Sequence, residues 1–129
     1  MKEIKFRAWD KKKNKMFYSY DNYLELEGEL WSLWLKDNRG KLRLLTNHNN
    51  GVLMQFTGLK DKKGREICEG DIVKAFNEDK EEYGLVYWDE EIAGFDVEGK
   101  KWVSAENLYC SWKYYEVIGN KFENPELLK

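Results

Sequence analysis

The sequence has few of the residues that form catalytic, metal or disulfide sites. Its 129 residues contain two Cys, one His and one Pro. Cys68 and Cys110 form no C-x-x-C motif, and a disulfide scaffold would need more cysteines, so we expect two reduced, buried thiols. His48 stands in a polar segment, where a lone histidine is more often exposed than bound to a metal. We therefore expect no metal site and no Cys–His catalytic pair.

Signals for membranes, secretion and nucleotide chemistry are also missing. No apolar run reaches the roughly 18 residues of a membrane span, and the N-terminus does not resemble a signal peptide, so the expected location is the cytoplasm. The chain has no G-x-x-x-x-G-K-[ST] or G-x-G-x-x-G phosphate loop and no D-x-D-x-D spacing. We predict that the protein is not an enzyme and has no catalytic residue and no cofactor.

Aromatic and charged residues are abundant instead. Hydrophobic residues make up 42% of the chain, aromatic residues 16% and charged residues 36%. This composition can bury a core and is unlike that of a disordered chain. A length of 129 residues suits one compact domain. We expect a single domain over 1–129, with N-terminal hairpins over 1–60, a barrel-like part over 66–120 and a terminal turn over 121–129.

Alternation of apolar and polar residues predicts strands along most of the chain. The segment IKFRAW at 4–9 alternates, and MFYSY at 16–20 follows it across a polar turn as a hairpin partner. ELWSLWL at 29–35 and KLRLL at 41–45 form a second hairpin around the turn DNRG. From Gly70 onward the strand-like segments are DIVKAF, YGLVYW, IAGFDV and YYEVIG.

This succession of short strands predicts a mainly β fold. We expect a small SH3-like barrel in the C-terminal half, preceded by N-terminal β-hairpins. The alternative is an α+β domain in which 20–36 or 104–116 is a helix, since Ser104 is a suitable N-cap.

The stretch LMQFTGLKDKKGREICEGDIV at 53–73 is rich in basic and turn-forming residues but poor in catalytic groups. We interpret it mainly as turn geometry. Gly64 can take the positive φ that a tight turn requires, and the Asp71 carboxylate can accept hydrogen bonds from backbone N–H groups at the bend before the next strand.

The formal net charge of −2 hides a basic segment at 1–15 and an acidic one at 78–98. Three interpretations stay open: solvated turns, a phosphate-binding basic patch, or a basic segment of one subunit that meets the acidic segment of another. The candidate basic contact patch consists of Lys11, Lys12, Lys13, Lys62, Lys63 and Arg65.

Three long blocks of the chain are distinctive: KEIKFRAWDKKKNKMF at the start, LMQFTGLKDKKGREICEGDIV with GLVYWD in the centre, and YYEVIGNKFENPELL at the end. These blocks resemble the YopX family of phage and prophage proteins. Only the stretch at about 21–50 departs from the pattern. The resemblance implies a small intracellular protein, encoded by phage or prophage in a bacterial host, that tends to associate with copies of itself. It implies no established biochemical activity and no catalytic residues.

Two classes of function fit these observations. The first is a protein-interaction or self-assembly module, whose partner is a second copy or another host or phage protein. Apolar residues occupy both faces of the 29–35 strand, so we select Trp31 and Trp34 as candidate interface residues. The alternative is a nucleic-acid-associated small β-barrel with aromatic platforms and basic loops, which the acidic pI near 5.6 disfavours.

Overall fold

The computed structural model describes residues 4–77, 80–99 and 115–128. Within these ranges the chain forms eleven β-strands and two 3-10 turns, without an α-helix. The strands are β1 (Phe6–Asp10), β2 (Lys15–Tyr18), β3 (Tyr23–Glu27), β4 (Leu30–Lys36), β5 (Leu42–Asn47), β6 (Gly51–Lys60), β7 (Glu66–Cys68), β8 (Asp71–Asn77), β9 (Lys80–Asp89), β10 (Gly94–Gly99) and β11 (Glu116–Asn120). The 3-10 turns are Ser19–Asp21 and Pro125–Leu128.

The strands confirm the mainly β prediction. They include a curled, half-barrel sheet, which is consistent with a small barrel-like fold. The alternative of a helix over 20–36 is wrong, because β3 and β4 occupy that range. The other candidate helix, over 104–116, lies almost wholly outside the described residues. In the described ranges no helix is long and apolar enough to cross a membrane.

The chain divides into two compact units. Unit 1 runs up to Gln55 and unit 2 begins at Phe56, so the boundary falls inside β6. The first half of β6 pairs with β1 in unit 1, from Phe6 opposite Gln55 to Asp10 opposite Gly51. The second half of β6 pairs with β7 in unit 2.

Unit 1 contains a β1–β2 hairpin and a three-stranded antiparallel sheet in the order β3-β4-β5. Short connections join these strands, as is usual for antiparallel neighbours. The core of unit 1 is a buried cluster with four half-buried residues packed against it. The buried residues are Ala8, Trp31 and Leu33, and the half-buried ones are Phe17, Leu24, Leu45 and Leu53.

Unit 2 contains a four-stranded antiparallel sheet in the order β10-β9-β8-β11. Its core holds eight buried residues, with Leu59 packed against them: Ile67, Val73, Ala75, Val86, Phe95, Val97, Tyr115 and Val117. Cys68 is fully buried, as predicted. Cys110 lies outside the described residues. Asp71 accepts the Cys68 backbone N–H at 2.7 Å, which confirms the predicted use of its carboxylate at this bend.

Two hairpin turns with the same D-x-x-G-[KR] sequence, one in each unit, have the same hydrogen bonds. In the β4–β5 turn the Asp37 carboxylate accepts the backbone N–H groups of Arg39 and Lys41 at 2.9 Å each. In the β6–β7 turn Asp61 accepts those of Lys63 and Arg65 at 2.9 and 2.8 Å. The glycines, Gly40 and Gly64, take φ values of 83° and 86°, a conformation that favours glycine, as predicted for Gly64.

Candidate interaction face

The two faces of strand β4 have different environments, although both carry apolar residues. Trp31 and Leu33 are buried, with 9% and 1% of their surface exposed, whereas Leu30 is 51% exposed. Trp34 is half-buried. Since successive side chains of a strand point to opposite faces, Trp31 and Leu33 belong to the core face and Leu30 and Trp34 to the opposite one.

That opposite side of the β3-β4-β5 sheet is here called the outer face. The cross-strand register places Tyr23 of β3 and Leu44 of β5 directly beside Trp34. Tyr23 is 49% exposed and Leu44 is 41% exposed. Together the three side chains form an apolar row that crosses all three strands. The complete outer face consists of Tyr23, Glu25, Glu27, Leu30, Ser32, Trp34, Lys36, Leu42, Leu44 and Asn47.

A bulge in β5 brings Leu44 onto this face. Thr46 pairs with Leu33 on the core face, but the next pair is Leu44 with Trp34, so Leu45 is one extra residue. Leu45 packs against the core cluster. A bulge shifts the alternation of the strand that carries it. Leu45 and Thr46 can therefore both face the core, while Leu44 and Leu42 are exposed on the outer face.

Exposed apolar side chains are concentrated on the outer face. In the described ranges, ten large hydrophobic side chains are exposed, and four of them, Tyr23, Leu30, Leu42 and Leu44, lie on this face. A single exposed apolar residue needs no explanation, but a contiguous patch usually marks an interface. The outer face is therefore the candidate interaction site.

The two ends of the outer face carry opposite charges. Glu25, Glu27 and Glu29 lie at the end where β3 turns into β4, here called the acidic end. Lys36, Arg39 and Lys41 lie at the end where β4 turns into β5, here called the basic end. The only carboxylate in the β4–β5 turn, that of Asp37, accepts two backbone hydrogen bonds within the turn. Lysine and arginine side chains thus dominate the basic end.

A pocket opens at each end of the sheet. The pocket at the basic end has a volume of about 410 Å³ and is lined by Leu35, Asp37, Lys41, Leu42 and Arg43. The pocket at the acidic end has a volume of about 140 Å³ and is lined by Glu25, Glu27, Leu30, Trp31, Ser32 and His48. The pocket at the acidic end has two carboxylates and no lysine or arginine in its lining, whereas the pocket at the basic end combines Lys41 and Arg43 with Asp37.

The two tryptophans predicted at an interface lie on opposite faces of β4. Trp31 is in the core cluster of unit 1, and its ring lies so close to Gly51 that an added Cβ would come within 2.7 Å of it. Trp34 is on the outer face beside Tyr23 and Leu44. Only Trp34 is placed to meet a partner without disrupting the core.

The six residues of the candidate basic patch belong to two turns. Lys11, Lys12 and Lys13 are exposed in the β1–β2 turn of unit 1, where Asp10 accepts the backbone N–H groups of Lys12 and Lys13 at 2.9 and 2.7 Å. Burial raises the pKa of Asp10, but these hydrogen bonds and the nearby Lys13 charge lower it, so the pKa lies below its ordinary value.

Lys62, Lys63 and Arg65 lie in the β6–β7 turn of unit 2. The Lys63 ammonium is 2.8 Å from the Glu116 carboxylate, and Arg65 Nη1 donates to the Val117 carbonyl at 3.2 Å. The hydrogen bond from Lys63 lowers the pKa of Glu116 and raises that of Lys63. At least two of these three cations therefore bind groups of their own unit.

Unit 2 has an acidic surface along β9 and β10. Burial raises the pKa of Asp96, and burial together with the nearby Asp96, Asp89 and Glu98 raises the pKa of Tyr87. Within the described ranges, no group of three or more His, Cys, Asp or Glu side chains is arranged to hold a metal ion.

Sequence reasoning missed the neighbours of Trp34. Strand β3 was not predicted, although YLELE at 23–27 alternates, and the bulge that exposes Leu44 has no sequence signal. The alternation in β3 could have indicated Tyr23. Leu44 could be assigned only from the register.

Comparisons with known proteins agree with the fold. The family model described as YopX protein matches residues 5–129, which confirms the resemblance predicted from the sequence. The crystal structure of protein yopX from Bacillus subtilis is similar, with a TM-score of 0.76 and 23% identity over 100% of both chains. So is that of protein EF1440 from Enterococcus faecalis, with a TM-score of 0.62 and 24% identity over 100% of both chains. No curated protein sequence matches the chain.

Proposed function

We propose that this chain, which belongs to the YopX family, is a protein-interaction or self-assembly module whose docking face is the outer face of the β3-β4-β5 sheet. The single observation that supports this is the row Tyr23, Trp34 and Leu44, which crosses three strands with two of its members more than 40% exposed. Removing such a row from water is favourable by about 25 cal/mol per Å² of apolar surface buried.

The composition of the row fits a binding role. Aromatic side chains are enriched in the cores of interfaces, because they bury a large area and lose little conformational entropy. The charged residues stand at the two ends of the face, where a polar rim would surround a central apolar contact. An apolar row with charges at its borders therefore has the layout of an interface.

We further propose that the protein is encoded by phage or prophage and acts in the cytoplasm of the bacterial host. This rests on the resemblance of its three sequence blocks to phage and prophage proteins. The proposed partners are a second copy of the chain or another host or phage protein.

Replacing Trp34 by Glu tests the proposal, because an unpaired charge in a desolvated interface is costly. Light scattering at about 100 µM would reveal self-association, since a contact of micromolar affinity is nearly saturated there. Affinity capture from lysate of the phage-carrying host, followed by mass spectrometry, would reveal other partners. We expect Trp34→Glu to lose the complexes that the wild type forms, and to keep the wild-type circular dichroism spectrum.

Ile92→Glu is the matched control. Ile92 is 49% exposed, so the same substitution introduces the same charge at an exposed apolar position of unit 2. It should leave every complex intact. If Trp34→Glu changes neither self-association nor capture from lysate, the outer face is not the docking site and the proposal is wrong.

Nucleic-acid binding is a second candidate, favoured by one feature of the β1–β2 hairpin. The ammonium groups of Lys13 and Lys15 lie 5.7 and 5.2 Å from the centre of the Phe17 ring. Cations beside an aromatic ring can hold a phosphate next to a stacked base. Fluorescence anisotropy with a labelled single strand of about 20 nucleotides tests this. A dissociation constant well below about 100 µM, weakened when Lys11, Lys12 and Lys13 become Ser, would support it.

A further inference from the structure

We infer that the partner of the outer face is the outer face of a second copy, related by a two-fold axis perpendicular to the strands, so that each acidic end meets the other copy's basic end. This inference rests on the proposed function, because it names the occupant of the same face. Three features of unit 1 support it: the distribution of charge, the order of side chains along β4, and the pocket at the acidic end.

The charges favour a self-complementary contact. In a two-fold interface the same patch is used twice, so a patch with opposite charges at its two ends can satisfy itself. The acidic end carries Glu25, Glu27 and Glu29, and the basic end carries Lys36, Arg39 and Lys41. The outer-face positions of β4 from Leu30 to Lys36 span about 20 Å, at about 3.3 Å per residue. Each end is therefore separate enough to meet a different part of the partner.

The charges also select one of two arrangements. If the two-fold axis were parallel to the strands, Lys36 would lie over Lys36 of the second copy, and like charges would repel at both ends. If the axis is perpendicular to the strands, each β4 runs antiparallel to its counterpart, and the acidic end lies over the basic end. Like charges facing each other across an interface are strongly unfavourable, so the antiparallel arrangement is the one we expect.

The outer-face side chains of β4 fit this arrangement. They are Leu30, Ser32, Trp34 and Lys36. With the axis centred between Ser32 and Trp34, each Trp34 lies over the small Ser32 of the other copy, and each Lys36 lies over Leu30. Packed sheets are about 10 Å apart, and large residues opposite small ones fill that space well.

The acidic pocket lies where this register places the partner's lysine. Leu30, Ser32, Glu25 and Glu27 all line it, and its volume of about 140 Å³ suits the end of a lysine side chain better than a larger group. Lys36 would lay its aliphatic stem along Leu30 and bring its ammonium to the two carboxylates, as long basic side chains commonly do.

Reversing the charges of each end separately tests the arrangement. One variant carries Glu27→Lys and Glu29→Lys, and the other Lys36→Glu and Lys41→Glu. All four residues are exposed, so both variants should fold, as circular dichroism and thermal unfolding would check. Each variant alone would bring like charges together at both ends, and its dissociation constant for self-association should rise at least about tenfold. Sedimentation equilibrium measures these constants.

The loss in each variant alone distinguishes the antiparallel from the parallel arrangement, and mixing the two variants then shows that this loss is electrostatic. In the antiparallel arrangement an equimolar mixture regains both opposite-charge contacts, so heterodimers should form with a dissociation constant within about threefold of the wild type. The chain that carries all four substitutions should self-associate like the wild type for the same reason.

The remaining outcomes separate this inference from the proposed function. If Trp34→Glu abolishes self-association but mixing the charge variants restores nothing, the outer face is an interface and the antiparallel arrangement is wrong. If the wild type is monomeric at about 100 µM, the inference fails, and capture of another partner through Trp34 would still support the proposed function.

Discussion

The two units of this protein distribute their apolar residues differently. In the described ranges, counting every buried hydrophobic residue and not the core clusters alone, unit 2 has eleven and unit 1 has five. Exposed large hydrophobic residues show the opposite trend, since seven of the ten lie in unit 1: Ile4, Tyr20, Tyr23, Leu26, Leu30, Leu42 and Leu44. Unit 2 buries most of its large apolar side chains, whereas unit 1 exposes many of them.

This difference shows that the apolar residues of unit 1 do more than form its core. Small β-sheets must bury one face to be stable, and the second face is free to be polar. The outer face of unit 1 is only half polar, because five of its ten residues are apolar: Tyr23, Leu30, Trp34, Leu42 and Leu44. We take this excess of apolar surface as the physical basis of the proposed docking role.

The largest effect should come from the core of unit 2. Phe95 is 2% exposed, so Phe95→Ala should lower the free energy of unfolding by about 3–5 kcal/mol. Denaturant unfolding measures the loss, and hydrogen exchange shows which amides lose protection. Selective loss in unit 2 would sharpen the contrast between the units. Equal loss of protection in unit 1 would show that the two units unfold together, which would contradict the contrast between them.

The matched turns allow the next comparison. Asp61 is 3% exposed and also accepts the Val117 backbone N–H at 2.8 Å, whereas Asp37 is exposed. Asp61→Ala would leave the buried Val117 N–H and two part-buried N–H groups without acceptors, so we expect a loss of about 3 kcal/mol, against less than about 1 kcal/mol for Asp37→Ala. Thermal unfolding of the two variants measures both. Similar losses would mean that burial does not determine how much the turn aspartate contributes to the free energy of unfolding.

An effect smaller than that of Asp61→Ala concerns Asp10 in unit 1 and depends on pH. Its pKa in the folded protein lies below the ordinary value. Such a group adds stability that is complete above the ordinary pKa of Asp, about 4, and is lost as pH falls through the lower folded pKa.

Asp10→Asn keeps an oxygen acceptor but loses the charge. It should therefore cost about 1 kcal/mol at pH 7 and progressively less as the pH is lowered below about 4. Unfolding curves of both proteins from pH 7 to pH 3 provide the measurement. A difference that does not change with pH would indicate that the Asp10 charge contributes nothing.

Much of the fold could be predicted because most strands are marked by alternating apolar and polar residues and by turn residues next to them in the sequence. Hairpins at 4–20 and 29–45 appear as β1–β2 and β4–β5, and the segments after Gly70 appear as β8, β9, β10 and β11. Each combines alternation with an adjacent turn signal. Strand β7 was missed because three residues, Glu66–Cys68, are too few to show a period. Strand β3 was missed because its alternating Leu and Glu residues were not separated from the longer apolar run that follows.

The candidate site could be predicted only in part. The sequence indicated that β4 has two apolar faces, and the structure confirms that Trp31 and Leu33 are buried while Leu30 is exposed. It could not indicate which of Trp31 and Trp34 faces the core. That choice depends on contacts with Ala8 and Gly51, which come from distant parts of the chain.

By itself the sequence determined the period of the strands, the turns built on Asp37–Lys41 and Asp61–Arg65, and the family, because each depends on neighbouring residues or on long blocks that match the family pattern. Only the tertiary structure decided the composition of the outer face. Tyr23, Trp34 and Leu44 come from three strands, and they meet because of the pairing register and the extra residue at Leu45. Register depends on which strands pair and where, and a shift of one residue moves every side chain to the other face.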